Sequence, residues 1–285
     1  MKAHGPFAYS GSFMRPSSLQ FQLFSKRKKP ITDQVLLKTV RFTEMSVNPL
    51  NTKLITYSKR MTVIVAGYSM DGSRVERCKV IRDLGVLIDS SFKFGSHISH
   101  ICSRASRSLG LIIRTVKHGL STGAVALMFR TLTRPLLEYC SVVWSPHQHG
   151  HIKHLQSVQR RFVRFLGCRS GMRYFDVSVD ELSAAYGLRS LECRRRVADI
   201  SFLYRLINCQ INCFSLLEMI RFRIPTGTRQ QHLFELSHAA RNYLRHSPIP
   251  RLMRLGNDIS SSVDFFSTSL RAIKYITADS SPDLH

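Results

Sequence analysis

The spacing of hydrophobic positions along this chain changes period once. From about residue 53 to residue 88 the apolar residues come in short β-type runs, KLITYS, TVIVAGYS and RVERCKVIRDLGVLID, rich in Val, Ile and Tyr. Between the second and third runs lies SMDGSR. Its Asp71-Gly72 pair suits a two-residue turn with positive φ at both central positions, which predicts a hairpin joining roughly 63–69 to 73–80. A further strand is expected over 82–88, where Leu84, Val86, Leu87 and Ile88 are apolar and Gly85 interrupts. Asp89, Ser90 and Ser91 then form a polar break, and Ser96 is placed to cap a helix.

From residue 96 the period is helical. In 97–116, Ile98, Ile101, Ala105, Ile112 and Val116 share one face, while His97, His100, Arg104, Arg107 and Arg114 gather on roughly the opposite arc. A second helix, about 121–143, meets Pro135, which should kink or break it. Residues 152–166 are the cleanest amphipath. Ile152, Leu155, Val158, Phe162, Phe165 and Leu166 line one side; Lys153, Arg160, Arg161 and Arg164 line the other. A loop near 167–177 and helices near 178–186 and 190–208 follow. A loop-like stretch over 221–251, holding Pro225, Gly227, Pro248 and Pro250, precedes a final helix near 262–275. The expected fold class is α+β, a small antiparallel sheet over about 53–88 followed by a mostly α-helical region. Residues 1–47 show no sustained period, and Val35–Val40 offers at most a short strand or a turn of helix.

Charge changes this picture. Lys and Arg number 42 against 18 Asp and Glu, a net charge of +24. Such a field favours a polyanion, nucleic acid before an anionic membrane surface. The helix faces are where it concentrates: ordinary solvated faces mix both signs, whereas residues 150–177 hold one acid, Asp176. Arg104, Arg107, Arg114, Lys153, Arg160 and Arg164 are therefore the candidate phosphate contacts, Arg being suited to grip two phosphate oxygens with its planar fork. The run Lys26-Arg27-Lys28-Lys29 reads as a solvated tail or a weak nuclear-localisation patch.

Other chemistry is poorly represented. Two-metal catalysis needs carboxylates that hold ions about 3.5–4 Å apart. There is no Asp-Asp or Asp-x-Asp, Asp83 and Asp89 sit at opposite ends of their element, and Asp176 and Asp180 read as helix caps. No metal site is expected. In HQHGHIKH, His151 and His154 have a possible ligand spacing but no Cys or carboxylate nearby to complete a set. Neither a G-x-S-x-G elbow nor a Gly-rich phosphate loop is present, so no catalytic residue is expected. Seven cysteines without a CxxC pair suggest reduced thiols. No apolar run approaches the ~18 residues of a membrane span, and the N-terminus lacks a signal-peptide core. A soluble intracellular protein of cytoplasm or nucleus, without membrane contact, is the expectation.

Several blocks resemble the part of non-LTR retrotransposon reverse transcriptases, the jockey-like class especially, that follows the catalytic palm. They are VIRDLGVLIDSSFKFGSHISHICSRASRSLGLIIR, LMFRTLTRPLLEYCSVVWSP, IKHLQSVQRRFVRFLG, LRSLECRRRVADISFLYRLIN and NYLRHSPIPRLMRLGNDI, covering about 48–275. The resemblance implies a residual palm and primer-grip element over 48–95, thumb-like helices over 96–170 and a C-terminal helical region over 171–285, with 1–47 unmatched. It assigns Asp83, Leu84 and Gly85 to the grip, and RNA, DNA or an RNA–DNA duplex as partner. The complete enzyme of this family uses Mg²⁺ held by paired aspartates. Residues 1–47 contain only Asp33 and Glu44 as acids, so this chain, a truncated copy, a gene-model fragment or a decayed insertion, is expected to hold no cofactor and to be inactive alone, with a missing palm and fingers polypeptide as a candidate partner. The alternatives are a non-catalytic helical protein-interaction module and an unstable product of a decayed transposon.

Overall fold

The computed structural model describes residues 52–56, 67–70, 72–116, 119–223, 232–239 and 241–279. Residues 1–47, with their basic run, and most of the first arm of the expected 63–69 hairpin lie outside them. The fold is α+β, and it divides into one unit ending at His97 and another running from Ile98.

The first unit carries six short strands, β1 (Lys53–Ile55), β2 (Ser69–Met70), β3 (Ser73–Arg74), β4 (Glu76–Cys78), β5 (Val80–Asp83) and β6 (Val86–Asp89). They form three two-stranded ladders rather than one antiparallel sheet, and β1 runs parallel to β4 with Lys53 opposite Glu76. Only the tip of the expected 63–69 to 73–80 hairpin is described: β2 and β3 pair antiparallel, Gly72 has φ +77, and Val75 N donates to Tyr68 O at 2.9 Å, while Asp71 lies outside the described residues and 76–78 and 80–83 pair elsewhere. Residues 82–88 depart from expectation. They are no single strand but the tip of a second hairpin, β5–β6, with Asp83 opposite Val86 and Val80 opposite Asp89. Leu84 (φ 45) and Gly85 (φ 89) make the turn. Both central residues of such a turn need positive φ; Gly takes it without cost, whereas Leu84 does so with its side chain 55% exposed.

The polar break beyond β6 is one carboxylate. Asp89 accepts from Ser91 N (2.8 Å), Ser91 Oγ (2.5 Å), Lys93 N (3.1 Å) and Phe94 N (2.8 Å), which turns the chain into the first helix. That helix, α1 (Gly95–Thr115), begins before Ser96, so Ser96 lies in its first turn and does not cap it.

In the second unit, α2 (Thr122–Met128) starts on Ser121, whose Oγ accepts from Ala124 N at 3.2 Å. The break expected at Pro135 is a widened π turn, Phe129–Thr133, with Pro135 then in the first turn of α3 (Arg134–Glu138). The wide turn absorbs the missing N–H and the ring of the proline. The reversal itself falls at Cys140 (φ 56), before α4 (Ser141–Trp144). Next come α5 (His149–Arg169), α6 (Val179–Ala185), α7 (Leu191–Ile207), α8 (Phe214–Leu217) and α9 (Asn242–Arg245). The last two helices are α10 (Pro248–Ile259) and α11 (Leu270–Asp279).

Helix α10 corrects the loop expected to run to residue 251. Pro248 stands at its first turn, where a proline's fixed φ starts a helix and its lost N–H was unpaired anyway. Its buried Leu252, Met253 and Ile259 join Leu203, Phe265 and Ile273 in a core built around α7. Asn257 stitches that core to a loop, donating to Phe234 O (2.9 Å) and accepting from Phe234 N (2.8 Å). Elsewhere in the unit, Phe129 of the π turn stacks on Phe162 of α5, centroids 4.1 Å apart.

Candidate nucleic-acid interface

Helices α1 and α5 each run 21 residues without a single acid. In α1 the buried stripe is Ile98, Ile101, Ala105, Leu109 and Ile112, continued just past its end by Val116, and Arg104, Arg107 and Arg114 are exposed opposite it. In α5 the buried stripe is Leu155, Val158, Phe162, Val163 and Leu166; Lys153 and Arg160 are exposed, and Arg164 is half-buried. At 3.6 residues per turn, the α5 trio falls within roughly 40° of arc and the α1 trio within roughly 80°. Each trio is therefore a narrow cationic stripe along a rigid rod. Arg169 ties the C-terminal ends of the two helices, donating to Val116 O and Leu120 O, both at 2.6 Å.

Two predicted members behave otherwise. His97 is not on the solvated arc: it is 1% exposed, and its Nδ1 accepts from Leu87 N at 3.2 Å, clamping β6 to the start of α1. Arg164 is partly engaged, its guanidinium 5.1 Å from the Tyr174 ring centroid and its Nη1 donating to Tyr174 Oη at 3.4 Å. The residues that the resemblance assigns to a primer grip, Asp83, Leu84 and Gly85, are together at the β5–β6 turn, in the other unit from the two stripes. Burial pushes the Asp83 carboxyl pKa up. At Asp89 burial also pushes upward, but the bonds from Ser91, Lys93 and Phe94 outweigh it and hold the carboxyl below its usual range.

Several other arginines are engaged in the structure. Arg194 forms a bidentate pair with Glu138, Nη2 to Oε2 at 2.8 Å, joining α7 to α3. Arg251 pairs with the buried Asp199 (2.9 and 3.2 Å) and donates to Val142 O (2.5 Å) and His246 O (3.2 Å). Arg130 reaches Tyr186 O, and Arg195 is 3% exposed. Position in the sequence does not separate these from the phosphate candidates; acceptors for Arg194, Arg251 and Arg130, and burial for Arg195, do.

Among the described residues, no three His, Cys, Asp or Glu side chains lie close enough to hold an ion together. His149, His151 and His154 lie in the first turns of α5, and His147 instead stacks on His246, centroids 4.2 Å apart. Burial raises the Cys102 thiol to about 11, against the pull of Arg195, leaving it protonated and inert. No described helix is long and apolar enough to cross a membrane. Comparison with family models, with curated proteins and with solved structures returns no match for this chain.

Proposed function

We propose that this chain binds the phosphate backbone of RNA, DNA or an RNA–DNA duplex through the exposed stripes of α1 and α5, as the thumb-like part of a non-LTR retrotransposon reverse transcriptase. The observation that carries the reading is the pairing of two acid-free helices with arginine and lysine on their solvent faces. Phosphate neutralisation releases counterions, and this term is strong, independent of sequence and steeply dependent on salt. The role is one of holding: in the family that the chain resembles, paired carboxylates for Mg²⁺ and the bond-forming step belong to the palm. Such a chain works where nucleic acid is, in nucleus or cytoplasm.

Measuring RNA–DNA hybrid binding between about 50 and 200 mM salt tests this. Contacts to six to ten phosphates predict a fall of ~10³–10⁵ in affinity over that range. Weak binding that does not change with salt overturns the reading. A second reading, a protein-interaction module, draws on the C-terminal surface, where the exposed rings of Phe222 and Phe266 lie 6.0 Å apart. It predicts that nuclease treatment leaves binding partners attached.

A further inference from the structure

Beyond α5 the chain makes a turn that is fixed at both ends and displays two aromatic rings between them. The near end is a Schellman cap: Gly171 (φ +89) donates to Cys168 O at 3.1 Å and Met172 N to Gly167 O at 3.0 Å. The far end is Val177, buried and packed so close that a Cβ on Gly167 would lie 2.5 Å from its Cγ2. Between them Asp176 N donates to Arg173 O at 3.0 Å, closing a tight turn whose two central residues are Tyr174 and Phe175. Tyr174 is 44% exposed and Phe175 93%, their rings edge to face at 5.4 Å. Arg164 lies over Tyr174 from the α5 side.

We propose that this turn is a stacking platform for an unpaired nucleotide, Phe175 taking the base and the adjoining arginines the flanking phosphates. The proposal rests on the nucleic-acid reading above and names the strand geometry that it takes. A ring this exposed gains nothing from the core, yet the backbone that presents it is fixed by the cap and by the Val177 contact. That combination is what a stacking ligand needs: a flat apolar face already in position. Charge selects the occupant. Arg160, Arg161, Arg164 and Arg173 lie before and within the turn, against Asp176 at its end and Asp180 and Glu181 in the first turn of α6. An anionic strand is therefore drawn along the α5 side, where the phosphate stripe already runs.

The test measures three affinities for the full chain and its variants: a single strand of about 12 nucleotides, a blunt duplex, and vesicles rich in anionic lipid. Base–aromatic stacking of the usual strength predicts that Phe175→Ala weakens the single strand about 5- to 100-fold. Blunt-duplex binding should stay within about twofold, and Phe175→Trp should restore the strand. Thermal melts of both variants should match the parent, since the side chain is almost wholly in solvent. Equal losses on strand and duplex, no loss on the strand, or a loss confined to vesicles overturns the platform. If Phe175→Ala is silent while the duplex still binds with a steep salt dependence, only the platform falls; if no nucleic acid binds at all, the proposed function falls with it.

Discussion

Gly256 shows how closely the C-terminal core is built. A Cβ placed there would lie 2.5 Å from Phe234 Cε2 and 2.9 Å from Leu203 Cδ2. Both neighbours are buried; the Phe234 backbone is held by its double hydrogen bond to Asn257, and its ring packs against Phe222 and Phe265. Gly256→Ala brings two opposed terms. Helix propensity favours Ala by about 1 kcal/mol in a helix interior, and overpacking of a filled core costs about 1–3 kcal/mol. With a contact this short on a buried, packed ring the second wins, so the variant should unfold at a lower denaturant concentration with an unchanged slope. A midpoint at or above the parent's would show that the ring moves aside freely. Asp199 and Arg251 are fixed by a different logic. Burial raises the Asp199 pKa despite the opposing pull of Arg251 and Arg195, so the pair is there for geometry, joining α7, α10 and the α4 backbone.

The β5–β6 hairpin is where backbone strain and candidate function coincide. Left-handed backbone costs a β-carbon residue roughly 1–2 kcal/mol, and Leu84 adopts it at the first position of a turn that favours Asn-Gly. Leu84→Asn creates that pair and should raise stability by about 0.5–1 kcal/mol on that ground. The resemblance to a primer grip makes the opposite demand on affinity. If Leu84 touches a strand, Leu84→Asn should melt higher yet bind a primed template more weakly; a rise in both would remove Leu84 from the interface. The same hairpin marks the limit of reading the sequence. A Leu-Gly turn carries no polar signal, so the apolar run through it reads as one strand. Helix α10 escaped for a related reason: Pro248 and Pro250 punctuate a loop and start a helix equally well, and only the core contacts of Leu252 and Met253 decide. Where the period is long, sequence pattern and burial agree. The buried stripes of α1 and α5 and the exposure of Arg104, Arg107, Arg114, Lys153 and Arg160 follow the 3.6-residue repeat. His97 broke that repeat because a hydrogen bond to Leu87, invisible to periodicity, drew it inward. The display of Tyr174 and Phe175 was hidden because two aromatics in a short loop look like core in any one-dimensional reading.

For the molecule taken together, a net charge of +24 sets a standing repulsion, which grows as acid adds protons. His246 makes a separate contribution. Burial lowers its pKa first, and His147, Arg254, Arg245 and Arg251 around it lower it further, to about 4. In the unfolded chain the same imidazole has its ordinary value near 6.5. Between the two values the unfolded chain binds the proton and the folded one does not. His246 thus contributes stability that is complete above pH 6.5 and is lost as pH falls from there toward 4. Asp89 is depressed in the folded state and loses its contribution only as pH drops through the carboxylate range, around and below 3.8, so it leaves the upper part of that window alone. Melting temperature should therefore fall between pH 7 and pH 5 through two causes that salt separates. Near 1 M salt the screening length is about 3 Å, which suppresses the long-range repulsion but not the exclusion of a proton from a half-buried ring. In high salt the parent should still lose stability over this range, and His246→Asn, which keeps the backbone carbonyl that Arg251 uses, should flatten the profile. A profile already flat in salt for the parent would assign the acid sensitivity to net charge alone. A slope unchanged by His246→Asn would place the responsible histidine elsewhere.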